Sequence, residues 1–100
     1  MIVEFTEPAR KQYFELLEQY DCVEFGDQFI DVVADRIENI KQFPLGWPKV
    51  YRTIRKCNLG KFPYALVYQI VEGHAWILAI SHHKRRPVWW KKRIIKSKKL

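Results

Sequence analysis

Glycine and serine are scarce in this chain. Its four glycines, Gly26, Gly46, Gly60 and Gly73, are scattered, so no glycine-rich loop is available to cradle a phosphate. Serine occurs only as Ser81 and Ser97, which all but excludes a Ser-His-Asp hydrolase. The two cysteines, Cys22 and Cys57, form neither a CxxC pair nor metal-type spacing and are expected to be reduced and structural. No apolar run approaches the roughly 18 residues of a membrane span; the longest is Ala75–Ile80. The opening Met1-Ile2-Val3-Glu4-Phe5 has neither the basic start nor the long apolar core of a secretory leader, so a cytoplasmic protein with no membrane partner is expected.

What is present is charge, sorted by position. Residues 1–43 hold 4 Lys/Arg against 10 Asp/Glu, a net of −6, whereas residues 44–100 hold 14 Lys/Arg against Glu72 alone, a net of +13. Solvated faces usually interleave both signs. Segregation on this scale makes the molecule a dipole whose C-terminal half attracts an anion: RNA, DNA or an acidic protein segment. With 100 residues, 48% of them hydrophobic and 15% aromatic, there is material for one packed domain and no room for a second.

Hydrophobic spacing places the elements. Met1–Phe5 alternates as a short strand. Thr6 can cap a helix that has Pro8 in its first turn and Ala9, Tyr13, Leu16, Leu17 and Tyr20 on one face, broken at Asp21-Cys22. A second helix over about Glu24–Gln42 carries Phe25, Phe29, Val33, Ile37 and Ile40 as its stripe, with Asp27, Asp31, Asp35 and Glu38 turned away, and Pro44 and Gly46 stop it. The rest reads as strands at Val50–Cys57, Phe62–Val71 and Ala75–Ile80, with turns at 58–61 and Glu72-Gly73; the last two strands are apolar on both faces and so central. The order is β-α-α-β-β-β: an α+β fold, an antiparallel helical hairpin packed on one face of a small, mainly antiparallel sheet. Six of the last ten residues are Lys or Arg, so a domain over 1–93 and a basic tail over 94–100 are expected.

Three groups could carry chemistry. Arg52-Thr53-Ile54-Arg55-Lys56 offers anion contacts, but strand residues three apart face opposite ways unless a bulge intervenes; ion pairing with the acids of the second helix is the structural alternative. His82-His83-Lys84-Arg85-Arg86 follows the innermost strand and could bind phosphate, with a histidine as general acid or base, or His82 could be a hydrogen-bonded residue of the strand end. Neighbouring histidines diverge on a strand and no cysteine or carboxylate cluster accompanies them, so neither metal nor other cofactor is expected. Trp89-Trp90-Lys91-Lys92-Arg93 mixes aromatics and cations as base stacking with phosphate contact does, although Trp90 is expected to close the core.

These pieces together resemble the RelE/ParE toxins of type II toxin–antitoxin systems. Val3-Glu4-Phe5-Thr6-Glu7-Pro8-Ala9 is similar to the family's opening strand and helix start, and Ile37-Glu38-Asn39-Ile40 before Phe43-Pro44 to the end of its second helix. Arg52-Thr53-Ile54-Arg55, Leu59, Phe62-Pro63-Tyr64 and Tyr68 resemble the middle strands, and His82, Arg85, Pro87 and Trp90 the closing motif; the likeness spans residues 1–93. It implies a toxin held inactive by a cognate acidic antitoxin. ParE-like members poison DNA gyrase and RelE-like members cleave mRNA on the ribosome. Phe62-Pro63-Tyr64 and the closing motif favour the ParE-like branch, and the tyrosine of RelE-like nucleases is replaced by Val88-Trp89-Trp90. That double tryptophan also departs from the ParE pattern, which usually has a tyrosine before the last tryptophan. The target-binding residues so implied are Arg52, Arg55, Arg85, Arg86, Trp89, Trp90 and Lys91; only a nuclease would use His82, His83 and Arg85 as catalytic groups.

Overall fold

The computed structural model describes residues 1–20 and 23–96. Thr6 joins the first strand, β1 (Ile2–Phe5), to the first helix, α1 (Glu7–Gln19): its hydroxyl accepts the Ala9 N–H at 3.4 Å, and Pro8 occupies the first turn. The expected break at Asp21-Cys22 lies outside the described residues. The second helix, α2 (Val23–Gln42), packs Phe29, Val33 and Ile40 into the core against Ala9 and Leu16 of α1, with Ile37 half-buried. Phe29 is the hub, its ring 5.2 Å from Phe62, 5.5 Å from Tyr20 and 5.9 Å from Tyr13.

Phe25, expected on that stripe, is instead 49% exposed. Gly26 faces α1 at this end, so close that a Cβ there would sit 3.0 Å from the Tyr20 carbonyl oxygen. One residue along a helix is a rotation of about 100°, which carries Phe25 off the interface. Asp27, Asp31, Asp35 and Glu38 face solvent as expected.

Strands β2 (Lys49–Tyr51), β3 (Ile54–Asn58), β4 (Tyr64–Val71) and β5 (His74–His82) complete a five-stranded sheet of order β1-β5-β4-β3-β2. β1 lies parallel to β5 and every other pair is antiparallel. The α+β class and the central places of β4 and β5 are as expected. The single strand expected at Val50–Cys57 is two strands in a hairpin: Tyr51 pairs with Ile54, and Arg52 turns the chain at φ 51°. No Gly or Asn marks that turn, so the sequence pattern runs through it. Glu72 and Gly73 form the expected two-residue turn, both left-handed, with φ 50° and 77°.

Tyr64, Leu66, Tyr68 and Ile70 of β4 face the helices, while Val67 faces the other side. On β5, Leu78 is an extra residue, since Val67 pairs with Ala79 and Tyr68 with Ile77. The bulge brings both Ile77 and Ile80 onto the helical face and Leu78 and Ala79 onto the outer one. That outer face is covered by the chain itself. Val88, Trp89, Trp90, Ile94 and Ile95 pack over Ile54, Val67, Leu78 and Ala79, so packing continues past residue 93 into the expected tail. Cys57 is a buried thiol on the helical side, and burial pushes its pKa up to about 12 although Arg36 opposes the rise; Cys22 lies outside the described residues. No helix among the described residues is long and apolar enough to cross a membrane.

Candidate target-binding face

Residues 83–93 leave the end of β5, turn at Pro87-Val88 and come back beneath the sheet. Val88 makes the reversal at φ 58°, a left-handed conformation that a β-branched residue rarely adopts. Its carbonyl accepts the Lys91 N–H at 3.1 Å, opening a short 3₁₀ turn, Lys91–Arg93. The return path is fastened by side chains. Trp89 Nε1 donates to Ser81 Oγ at 2.8 Å. Arg93 donates to Gln12 Oε1 of α1 and, at 3.1 Å, to the carbonyl of the bulged Leu78. Burial, and secondly the charge of Arg85, lower the Arg93 pKa.

The seven residues expected to bind a target divide into those held within the fold and those exposed. Arg55 is half-buried and donates to the carbonyls of Trp47 at 2.6 Å and Leu45 at 3.2 Å, not to acids of α2. Trp90, 4% exposed, closes the outer core edge-on to Tyr51. Trp89, half-buried, carries the guanidinium of Arg85 3.6 Å above its ring centre and that of Arg93 at 4.9 Å. Arg52, Arg85, Arg86 and Lys91 are exposed. Arg52 and Lys91, distant in sequence, meet over the Tyr51 ring at 5.2 and 5.7 Å.

His82 ends β5, and His83 begins the loop that follows it. His82 is half-buried, its ring edge-on to Tyr64 at 5.0 Å. Its Nδ1 accepts the Lys84 N–H at 3.0 Å, so the neutral imidazole carries its proton on Nε2 and presents a donor, not a base. His83 is exposed. His82, His83 and Arg85 do share one cavity of about 150 Å³ with Lys56, Arg86, Val88 and Trp90, and no carboxylate lines it. On the helical side of His82, a second cleft of about 240 Å³ brings Gln12, Glu15 and Gln19 of α1 beside Tyr64, His82 and Arg85. Lys56 and Arg93 lie in the basic runs that the sequence singles out but not among the seven residues expected to bind a target, and Tyr51 and these α1 residues are not singled out at all. Nothing in a linear pattern foretells the docking of α1. Among the described residues no three His, Cys, Asp or Glu side chains come together as a metal site would need.

Electrostatically, the face is undiluted. Among the described residues, ion pairs to carboxylates are made by Arg10, Arg36, Lys41 and His74; no Lys or Arg from Lys49 to Lys96 makes one. Asp27, Asp31, Asp35 and Glu38 of α2 are exposed, whereas Glu15 of α1 borders the cleft it shares with His82 and Arg85.

A family model described as the ParE toxin of type II toxin-antitoxin system, parDE, matches residues 3–87. A solved structure described as the chromosomal ParDE TA system from P. aeruginosa is similar in fold at a TM-score of 0.60 and 18% identity, covering 82% of this chain and 95% of that one. No curated protein matches.

Proposed function

This chain belongs to the ParE toxin family of type II toxin–antitoxin systems, and from that premise we propose that it inhibits DNA gyrase and is silenced by a cognate acidic antitoxin. The observation that carries the reading is the outer face itself: Arg52, Arg85, Arg86 and Lys91 are exposed and make no ion pair among the described residues, and Arg52, Arg85 and Lys91 lie over the rings of Tyr51 and Trp89. Such a surface steers toward anionic partners and rejects cationic ones. Binding needs no catalytic residue. The alternative, ribosome-dependent mRNA cleavage by His82, His83 and Arg85, would call for a base to take a ribose proton; the His82 nitrogen facing its surroundings bears a proton in the neutral ring and no carboxylate lines the cavity beside it, which leaves that role to the exposed His83.

The antitoxin follows from the same charge and from apolar side chains left outside the core. Phe14, Phe43 and Leu45 are 50%, 60% and 69% exposed, which suits an acidic amphipathic partner. Its binding would raise thermal stability by mass action. The direct test is plasmid supercoiling by gyrase with purified protein, linear DNA being scored in the same reaction. The reading expects loss of supercoiling with linear product; unimpaired supercoiling at micromolar protein, together with growth arrest in cells, would overturn the gyrase assignment.

A further inference from the structure

We infer that the cavity at the end of β5 is a binding site for the phosphodiester backbone of a nucleic-acid strand. Lys56 approaches it from β3, whereas His83, Arg85 and Arg86 approach from the loop after β5. Three cations, with the imidazoles of His82 and His83 beside them, thus surround about 150 Å³ of space without a single lining carboxylate. Their charges repel one another, and an anion between them removes that repulsion.

Three features favour a phosphodiester over the carboxylate of an acidic peptide. The cavity wall is apolar on one side, with Val50, Val88 and Trp90, so its occupant brings a flat or apolar group next to its charge; a nucleotide does this with sugar and base. Arg85 lies on the Trp89 ring at 3.6 Å, which holds its guanidinium plane as a rigid fork for paired oxygens and as a stacking plate for a base. The chain reverses at Val88 in a strained conformation, φ 58°, and that reversal is what folds Trp90 beneath the loop to complete the wall. Within the site His82 offers a donor, since its Nδ1 is taken up by the Lys84 N–H.

The inference rests on the outer cationic face being the target surface, but it is tested without gyrase, so the two can fail separately. The measurement is fluorescence anisotropy of the full-length protein with duplex DNA, RNA of the same sequence, and polyglutamate, each titrated across salt concentration. Nucleic acid is expected to bind with log K falling linearly in log salt, and Arg86→Gln or Lys56→Gln to weaken binding roughly tenfold and flatten the slope by about 1. Lys61→Gln, at the α2 side of the molecule, removes the same net charge and is expected to leave the slope unchanged. Unchanged melting temperatures separate lost contact from lost fold, since the Arg86 side chain is exposed and makes no hydrogen bond among the described residues. The tighter of DNA and RNA then names the strand. Polyglutamate bound as tightly as nucleic acid, binding indifferent to Arg86 and Lys56, or no binding at all would each overturn the site.

Discussion

The side-chain amide of Gln69 pairs with the backbone of Ile95 as a strand neighbour would: Nε2 donates to the Ile95 carbonyl and Oε1 accepts the Ile95 N–H, each at 2.9 Å. Gln69 is 8% exposed and points to the outer face of β4, so this pair fastens the far end of the returning segment to the centre of the sheet. Gln69→Leu keeps the bulk and removes both bonds, leaving two backbone groups without partners. A loss of about 2 kcal/mol is expected in urea unfolding, with faster hydrogen exchange at the Ile95 amide. An Ile95 amide as protected as in the wild type would show that apolar packing alone holds the segment.

The Glu72-Gly73 turn is built of two left-handed residues, a geometry for which Asn-Gly is the favoured pair. Glu72 is exposed and makes no ion pair among the described residues. Glu72→Asn is therefore expected to stabilise the fold by about 0.5 kcal/mol, seen as a higher urea midpoint at unchanged slope. A lower midpoint would mean that the Glu72 side chain contributes something the turn geometry does not reveal.

Tyr68 is fully buried and donates to the Pro44 carbonyl at 2.6 Å. Burial pushes its pKa up to about 12, against a smaller lowering by Arg55. The folded protein therefore keeps this proton at pH values where the unfolded chain has lost it. Stability from Tyr68 is complete below the unfolded value near pH 10 and is lost as pH climbs toward about 12. Cys57 acts in the same direction, so Tyr68→Phe should flatten only part of the alkaline decline. Urea midpoints at neutral and strongly alkaline pH would check this: the variant starts lower for want of the hydrogen bond but loses less. Parallel declines would contradict the assignment.

Much of the fold was legible because local chemistry and tertiary packing agree. Thr6 and Pro8 announce the start of α1, and β4 and β5 read as apolar on both faces because both faces are covered, one by helices and one by residues 88–95. Reading failed where the deciding partner is remote. Arg52 turns the chain without any turn residue, and Phe25 leaves its stripe because Gly26 meets the Tyr20 carbonyl. The site was legible as a charge and not as an arrangement. Arg52 and Arg55 look equivalent in sequence, yet one is exposed over Tyr51 and the other is bonded to the carbonyls of Leu45 and Trp47, groups that every residue carries.

The most direct test of the account is growth of cells on induced expression of the chain, with and without an acidic partner encoded beside it. The wild type is expected to arrest growth, the partner to restore it, and a soluble, folded Arg52→Gln/Lys91→Gln variant to be harmless or nearly so, because it loses both cations held over Tyr51. A soluble wild-type chain that leaves growth untouched would contradict the reading of this protein as a toxin. A double variant as toxic as the wild type would contradict the role given to its outer face.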